Sequence, residues 1–225
     1  MAAHPRPLRG RPLAKGAENV IPSAAGDLLG SEVSAAARDD VSMGCRSPGQ
    51  GACCYRGGMN DPVRQARAFA IAAHGDQRYG AHPYAHHLDA VAAILEPFGT
   101  TAQIVGYLHD TIEDTTVARH EIEALFGAHV AGCVAILTDE PGPDRKARKT
   151  ATYAKMATVG AEFELALIAK VADRLANVRA CVEDGHDGML DKYRGEHAAF
   201  RPAAYRAGLC DALWEELDRL LAIGN

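Results

Sequence analysis

The stretch GYLHDTIEDT, residues 106–115, sets His109 and Asp110 just ahead of Glu113 and Asp114. On a helix, side chains four apart stand one above the other, so His109 shares a face with Glu113, and Asp110 with Asp114. Three carboxylates then crowd one side of a turn. Like charges at that spacing repel by roughly 0.2–0.5 kcal/mol per pair on an isolated helix, and burial sharpens the conflict. A divalent cation relieves it, because it neutralises carboxylates that would otherwise be pushed toward protonation.

Three other stretches supply matching chemistry. HPYAHHL carries His86 and His87, KVADRLANVR carries Asp173 and Arg174 inside an apolar run, and HGDQRYG carries His74 and Arg78. Imidazole and carboxylate together suit Mn, Fe or Zn. Ligands drawn from three separate helices would tie a bundle together at its core. Each residue also has a plainer reading. His109 and Asp110 could be a satisfied buried pair. Asp173 could pair with Arg174 or Arg179, although its apolar surroundings point to burial, which is costly for a lone carboxylate. Glu113 and Asp114 could cap the next helix, but Thr116 suffices as that cap. The basic run RKARK could be a solvated face, and Tyr193 and Phe200 could be core. His74 is expected to pack near the site; His82, His120, His186 and His197 are expected to be structural or on the surface.

The elements that must position these groups are helical almost throughout. Asp61 as N-cap and Pro62 at N1 open a first helix through Val63, Phe69 and Ala73. Further helices are predicted over about 86–97, 101–111, from Thr116 to Gly127, through AHVAGCVAIL, through RKARK, and over about 162–182, 188–205 and 207–222. No two-residue alternation marks a strand, so the expectation is an all-α single domain. Residues 1–58, rich in Pro, Gly, Arg and Ser, lack the apolar surface to offset their ordering entropy and are expected to be disordered. Met59 is the expected true start, with the functional domain over 59–225.

Composition narrows the field. The 225 residues are 48% apolar and 24% charged, with a net charge of −5, which gives no electrostatic case for nucleic acid as the main partner. No apolar run approaches bilayer-spanning length, and no signal peptide is visible. The six cysteines show no CxxC spacing, which argues against zinc knuckles and redox motifs. Reduced thiols in a cytoplasm are the default expectation, with Cys133 packed as a small hydrophobe.

The ordered series PYAHH, LHDTIEDT and KVADRLANVR resembles the HD-domain phosphohydrolases, and within them the (p)ppGpp hydrolase branch of the Rel/SpoT enzymes and their small stand-alone relatives. The likeness covers about residues 60–205 and includes His74 with Arg78, the segment Phe126, Gly127 and Val130, and YRGEHAAF. An HD dipeptide alone is weak; the three motifs in order are specific.

The resemblance implies an HD-domain helical bundle with a core metal, usually Mn(II), bound by His87, His109, Asp110 and Asp173. It implies Glu113 and Asp114 as the catalytic pair, and release of the 3′-pyrophosphate to leave GDP or GTP. Arg78, Arg145, Lys146, Arg148 and Lys149 are candidates for phosphate contacts. Asn177 and Tyr193 match positions lining the nucleoside pocket. The implied partner is a small guanine nucleotide, with neither nucleic acid nor membrane. Leu88, Tyr79 and Ala176 depart from the family pattern, where Pro, a basic residue and His are usual; these positions bear on the grip on the phosphates. Two rival functions are another HD phosphohydrolase acting on a different nucleotide, and a non-catalytic nucleotide-binding signalling module.

Overall fold

The computed structural model describes residues 61–222, so the expectations for residues 1–58 and for a start at Met59 lie outside the described residues. Ten α-helices run through them: α1 (Pro62–His74), α2 (Ala85–Leu95), α3 (Thr100–Leu108), α4 (Thr111–Asp114), α5 (Arg119–Phe126), α6 (Ala128–Leu137), α7 (Arg145–Ala157), α8 (Glu164–Glu183), α9 (Asp187–Ala204) and α10 (Asp211–Ala222). The all-α expectation holds. No helix among them is long and apolar enough to cross a membrane.

Helix α8 is the centre. It packs against α2, α3, α6, α9 and α10, and its residues from Ala166 to Ala172 are all buried. Such a helix can be apolar nearly all round, so a charge in it must find a partner inside the protein. Helix α3 lies close on α2 because Gly106 has no side chain. A Cβ there would sit 2.7 Å from Leu95 Cδ1 and 3.3 Å from Ala92 Cα. A second packing centre joins α9 to α10, where Trp214 and Phe200 are 5.2 Å apart and both buried.

The start of α1 is as expected: Asp61 Oδ1 accepts from the Val63 and Arg64 amides at 3.0 and 3.4 Å, with Pro62 at N1. Three boundaries differ. Helix α3 ends at Leu108, so His109 and Asp110 sit at a break before the one-turn α4, although both keep right-handed helical dihedrals. Thr116 caps nothing. The Val117 amide bonds Thr115 Oγ1 at 3.0 Å, and the Ala118 amide bonds Glu121 Oε2 at 2.8 Å, which delays α5 to Arg119; a local side-chain bond has outcompeted the helix. The last helix starts at Asp211 rather than near 207.

A short antiparallel hairpin, β1 (Arg78–Tyr79) and β2 (His82–Pro83), joins α1 to α2. Strands of two residues carry no periodicity for a sequence to display. Gly80 turns the hairpin at φ 59°, in the region that favours glycine.

Candidate active site

Four side chains from three places in the chain meet beside α8. His87 comes from the first turns of α2, His109 and Asp110 from the α3–α4 break, and Asp173 from the middle of α8. His87 Nε2 lies 3.2 Å from His109 Nε2, and His109 Nε2 lies 3.0 Å from Asp110 Oδ2. Asp173 Oδ1 stands 3.4 Å from His87 Nε2 and 3.7 Å from His109 Nε2. Both imidazoles are buried. Among the described residues His87, His109 and Asp110 form the cluster whose donor atoms all fall within metal-binding reach of one another, and the distances to Asp173 add a fourth donor.

The donor set fits a divalent cation. His109 Nδ1–H donates to the Gly106 carbonyl at 2.7 Å, which leaves Nε2 as the coordinating nitrogen. The same glycine thus lets α3 approach α2 and fixes the histidine tautomer. Burial disfavours the imidazolium of His109, but the Asp110 and Asp173 carboxylates outweigh it and push its pKa up to about 9. Burial likewise opposes ionisation of Asp110, yet His109 holds that carboxyl below the usual range. The pocket demands positive charge.

Lys170, one turn before Asp173, answers part of that demand. It is buried, its Nζ lies 3.3 Å from Asp173 Oδ2, and it donates to the Leu137 carbonyl at 3.3 Å. Asp173 therefore turns one oxygen to Lys170 and the other to the histidines. The plainer pairings for Asp173 do not occur, because Arg174 pairs with Glu196 and Arg179 with Glu216.

A cavity of about 240 Å³ opens from this cluster. Its acidic wall includes Glu113, whose Oε2 accepts from the Asp139 amide at 3.0 Å, and the exposed Asp114. Asp114 Oδ2 lies 3.4 Å from Tyr84 Oη and 3.5 Å from Gln77 Nε2, while the one proton of the Tyr84 hydroxyl is donated to Asp110. Neither acidic residue caps α5.

Part of the lining is basic, formed by Arg145, Lys149 and Arg174. Arg145 and Arg174 share Glu196, at 2.5 and 3.0 Å for the first and 3.0 Å for the second. Arg174 is also held by Tyr153 Oη at 2.9 Å and sandwiched between the Tyr193 and Phe200 rings, 4.7 Å from each centroid. Lys149 pairs with Asp139 at 2.9 Å. Arg78 lines the cavity from the hairpin and donates to the Ala81 carbonyl.

Of the five basic residues expected at the phosphates, Arg78, Arg145 and Lys149 reach the cavity, whereas Lys146 and Arg148 do not line it. Helical phase is the reason: 145 and 149 share a face of α7, and 146 and 148 point to either side. Tyr193 lines the cavity as expected, under Arg174. Asn177 lines it too, but its amide is bonded to Asp173 and Tyr79. His74 packs, stacked on Tyr84 at 4.3 Å and bonded to Gln77 at 2.7 Å. His86 stacks on His82 away from the cluster. Sequence reasoning missed Tyr84, Lys170, Asp139 and Glu196, and it singled out Arg174 only as a charge in an apolar run beside Asp173. Of the four missed, Lys170 had a visible signal, as a lysine in an apolar helix three residues from a candidate ligand.

Glu196 has a measurable signature. Burial opposes its charge, but the bonds from Arg145 and the field of Arg174 hold its carboxyl below the ordinary value. A carboxyl depressed in the fold stabilises it above the unfolded pKa and loses that contribution as pH falls. Glu196→Gln is expected to lower the unfolding free energy by about 2 kcal/mol at pH 7. The gap to the parent should narrow as pH falls below about 4; urea unfolding across that range checks both.

The HD domain family model matches residues 66–210. The GTP pyrophosphokinase rsh of Brucella ovis is 34% identical over 173 residues, which is 74% of this chain and 23% of that protein. A probable guanosine-3′,5′-bis(diphosphate) 3′-pyrophosphohydrolase of Synechocystis is 30% identical over 159 residues, 68% of this chain and 21% of the relative. This chain thus spans less than a quarter of the length of these relatives. Among solved structures, a metazoan ortholog of SpoT described as hydrolysing ppGpp superposes with a TM-score of 0.59 at 22% identity, covering 72% of this chain and 94% of that one. That likeness is one of fold.

Proposed function

The chain belongs to the HD domain family, and on that premise we propose that it is a Mn(II)-dependent hydrolase that removes the 3′-pyrophosphate of (p)ppGpp, leaving GDP or GTP. The observation that carries this reading is a cavity lined by both kinds of group. His87, His109, Asp110 and Asp173 bring potential metal donors together, and the same cavity is lined by the buried or half-buried cations Arg145, Lys149 and Arg174, suited to phosphate oxygens. The hydrolase named among its relatives supports the substrate class. With no membrane-spanning helix among the described residues, the proposed setting is the cytoplasm.

His87, His109, Asp110 and Asp173 would hold the divalent ion, which when bound would supply Lewis acidity toward a phosphoryl oxygen and lower the pKa of a water. The chain's own groups do the rest. Glu113 is proposed to take the proton of the water, since it lines the cavity and is aimed by the Asp139 amide. Asp114, beside the Tyr84 hydroxyl that bonds Asp110, is proposed to orient that water. Arg78, Arg145, Lys149 and Arg174 are proposed to bind the phosphates, with Arg174 fixed in place by its two rings and Glu196. Tyr193 offers an aromatic wall for the nucleoside.

The test is an assay of purified protein with ppGpp, with and without Mn(II). Pyrophosphate release that requires the metal and stops with chelator is the expected result. If ppGpp stays intact with Mn(II) while another nucleotide is cleaved, the substrate assignment fails. If no metal binds and none restores turnover, the chain is a binding module instead.

A further inference from the structure

A hairpin of two residues per strand cannot hold its own shape in water, so its place is set by what it touches. Tyr79 makes the principal contact. Its ring lies on His87, with centroids 4.8 Å apart and planes within 14°, and it meets Tyr84 edge-on at 6.3 Å. Its hydroxyl donates to Asn177 Oδ1 at 2.9 Å. Asn177 stands one turn after Asp173 on α8, and its Nδ2 donates to Asp173 Oδ1 at 2.6 Å and to the Asp173 carbonyl at 2.9 Å. That same Oδ1 faces His87 and His109.

The amide of asparagine has an oxygen end and a nitrogen end, and only the nitrogen can donate to a carboxylate. The Asp173 carboxylate and carbonyl both take the nitrogen end, which leaves the amide oxygen to accept from the Tyr79 hydroxyl and so anchors the far end of the amide. Without the hydroxyl, the amide oxygen loses its partner and the amide that bonds Asp173 Oδ1 is held less firmly. The ring meanwhile restrains the plane of His87. One side chain thereby bears on two of the four proposed donors, His87 directly and Asp173 through Asn177.

We infer that Tyr79 is a positioning residue for the metal centre, acting on Asp173 through the amide of Asn177 and on His87 through ring stacking. The inference rests on the metal-dependent reading of the site. It has a consequence for the substrate end as well. Arg78 precedes Tyr79 in the same strand, so the lock that orders the metal donors also sets where that guanidinium stands in the cavity.

Mn(II) binding to the full chain, followed by calorimetry and by electron paramagnetic resonance of the free ion, tests this without any turnover. Tyr79→Phe keeps the ring and removes the hydroxyl. It is expected to weaken Mn(II) binding by about tenfold, the low end for partners of metal ligands, with an unchanged circular dichroism spectrum. Tyr79→Ala also loses the stacking and should weaken it further; if that variant does not fold, Tyr79→Phe carries the test. In the double variant Tyr79→Phe/Asn177→Ala, affinity should equal that of Asn177→Ala alone, because the hydroxyl acts only through the amide.

Parental affinity in Tyr79→Phe, or losses that multiply in the double variant, would overturn the inference while leaving the metal-dependent function standing. A parent chain that binds no Mn(II) would overturn both.

Discussion

Asp110→Asn is expected to yield a folded chain that retains no Mn(II) through gel filtration and hydrolyses no (p)ppGpp. The side chain keeps its shape, so the bond from Tyr84 and the α3–α4 break can survive. What disappears is the charge that sits 3.0 Å from His109 Nε2. Asp173 then remains as the one carboxylate in the donor set, already half neutralised by Lys170 at 3.3 Å. Changes to residues that merely support ligands weaken metal binding about 10–100-fold, so loss of a ligand should exceed that range. Elemental analysis of the purified variant and a pyrophosphate-release assay read the two losses separately. Stoichiometric metal with no activity would move Asp110 from ligand to another role.

The cluster of His87, His109, Asp110 and Asp173 is legible in the sequence because each member sits in a short motif whose order survives folding. His87 opens a helix after PYA, His109 and Asp110 follow a glycine-containing apolar helix, and Asp173 interrupts a buried run. What the one-dimensional pattern hides is why those motifs work. Gly106 looks like a weak point in α3, yet it allows the approach to α2 and its carbonyl sets the His109 tautomer. Tyr79 reads only as a departure from a basic position, whereas its ring lies on His87 and its hydroxyl bonds Asn177, which in turn bonds Asp173.

The basic lining was less legible for a different reason. Arg145, Arg174 and Glu196 lie on α7, α8 and α9, and their pairing exists only after those helices pack. Nothing local distinguishes Glu196 from a solvated glutamate. The run RKARK, by contrast, held more information than its composition suggested: helical phase alone separates Arg145 and Lys149 from Lys146 and Arg148. At Thr115–Ala118, side-chain bonds spanning two or three residues override the helical pattern.

Glu113→Gln is expected to behave in the opposite way to Asp110→Asn: full metal content and a turnover rate lower by ~10²-fold or more, the usual contribution of a positioned general base. Geometry separates the two residues. Glu113 lies outside the cluster of converging donor atoms and is held instead by the Asp139 amide at 3.0 Å. The glutamine carbonyl can accept that same bond, so the side chain keeps its place and loses only its ability to take a proton. Asp139 also pairs with Lys149, which links Glu113 to the basic lining, while Asp114 lies beside the Tyr84 hydroxyl that bonds Asp110. On this division of labour Asp114→Asn should cost less in rate than Glu113→Gln. Equal metal loss in Glu113→Gln and Asp110→Asn would make Glu113 a ligand and reverse the assignment; unchanged turnover in Glu113→Gln would hand the proton to Asp114.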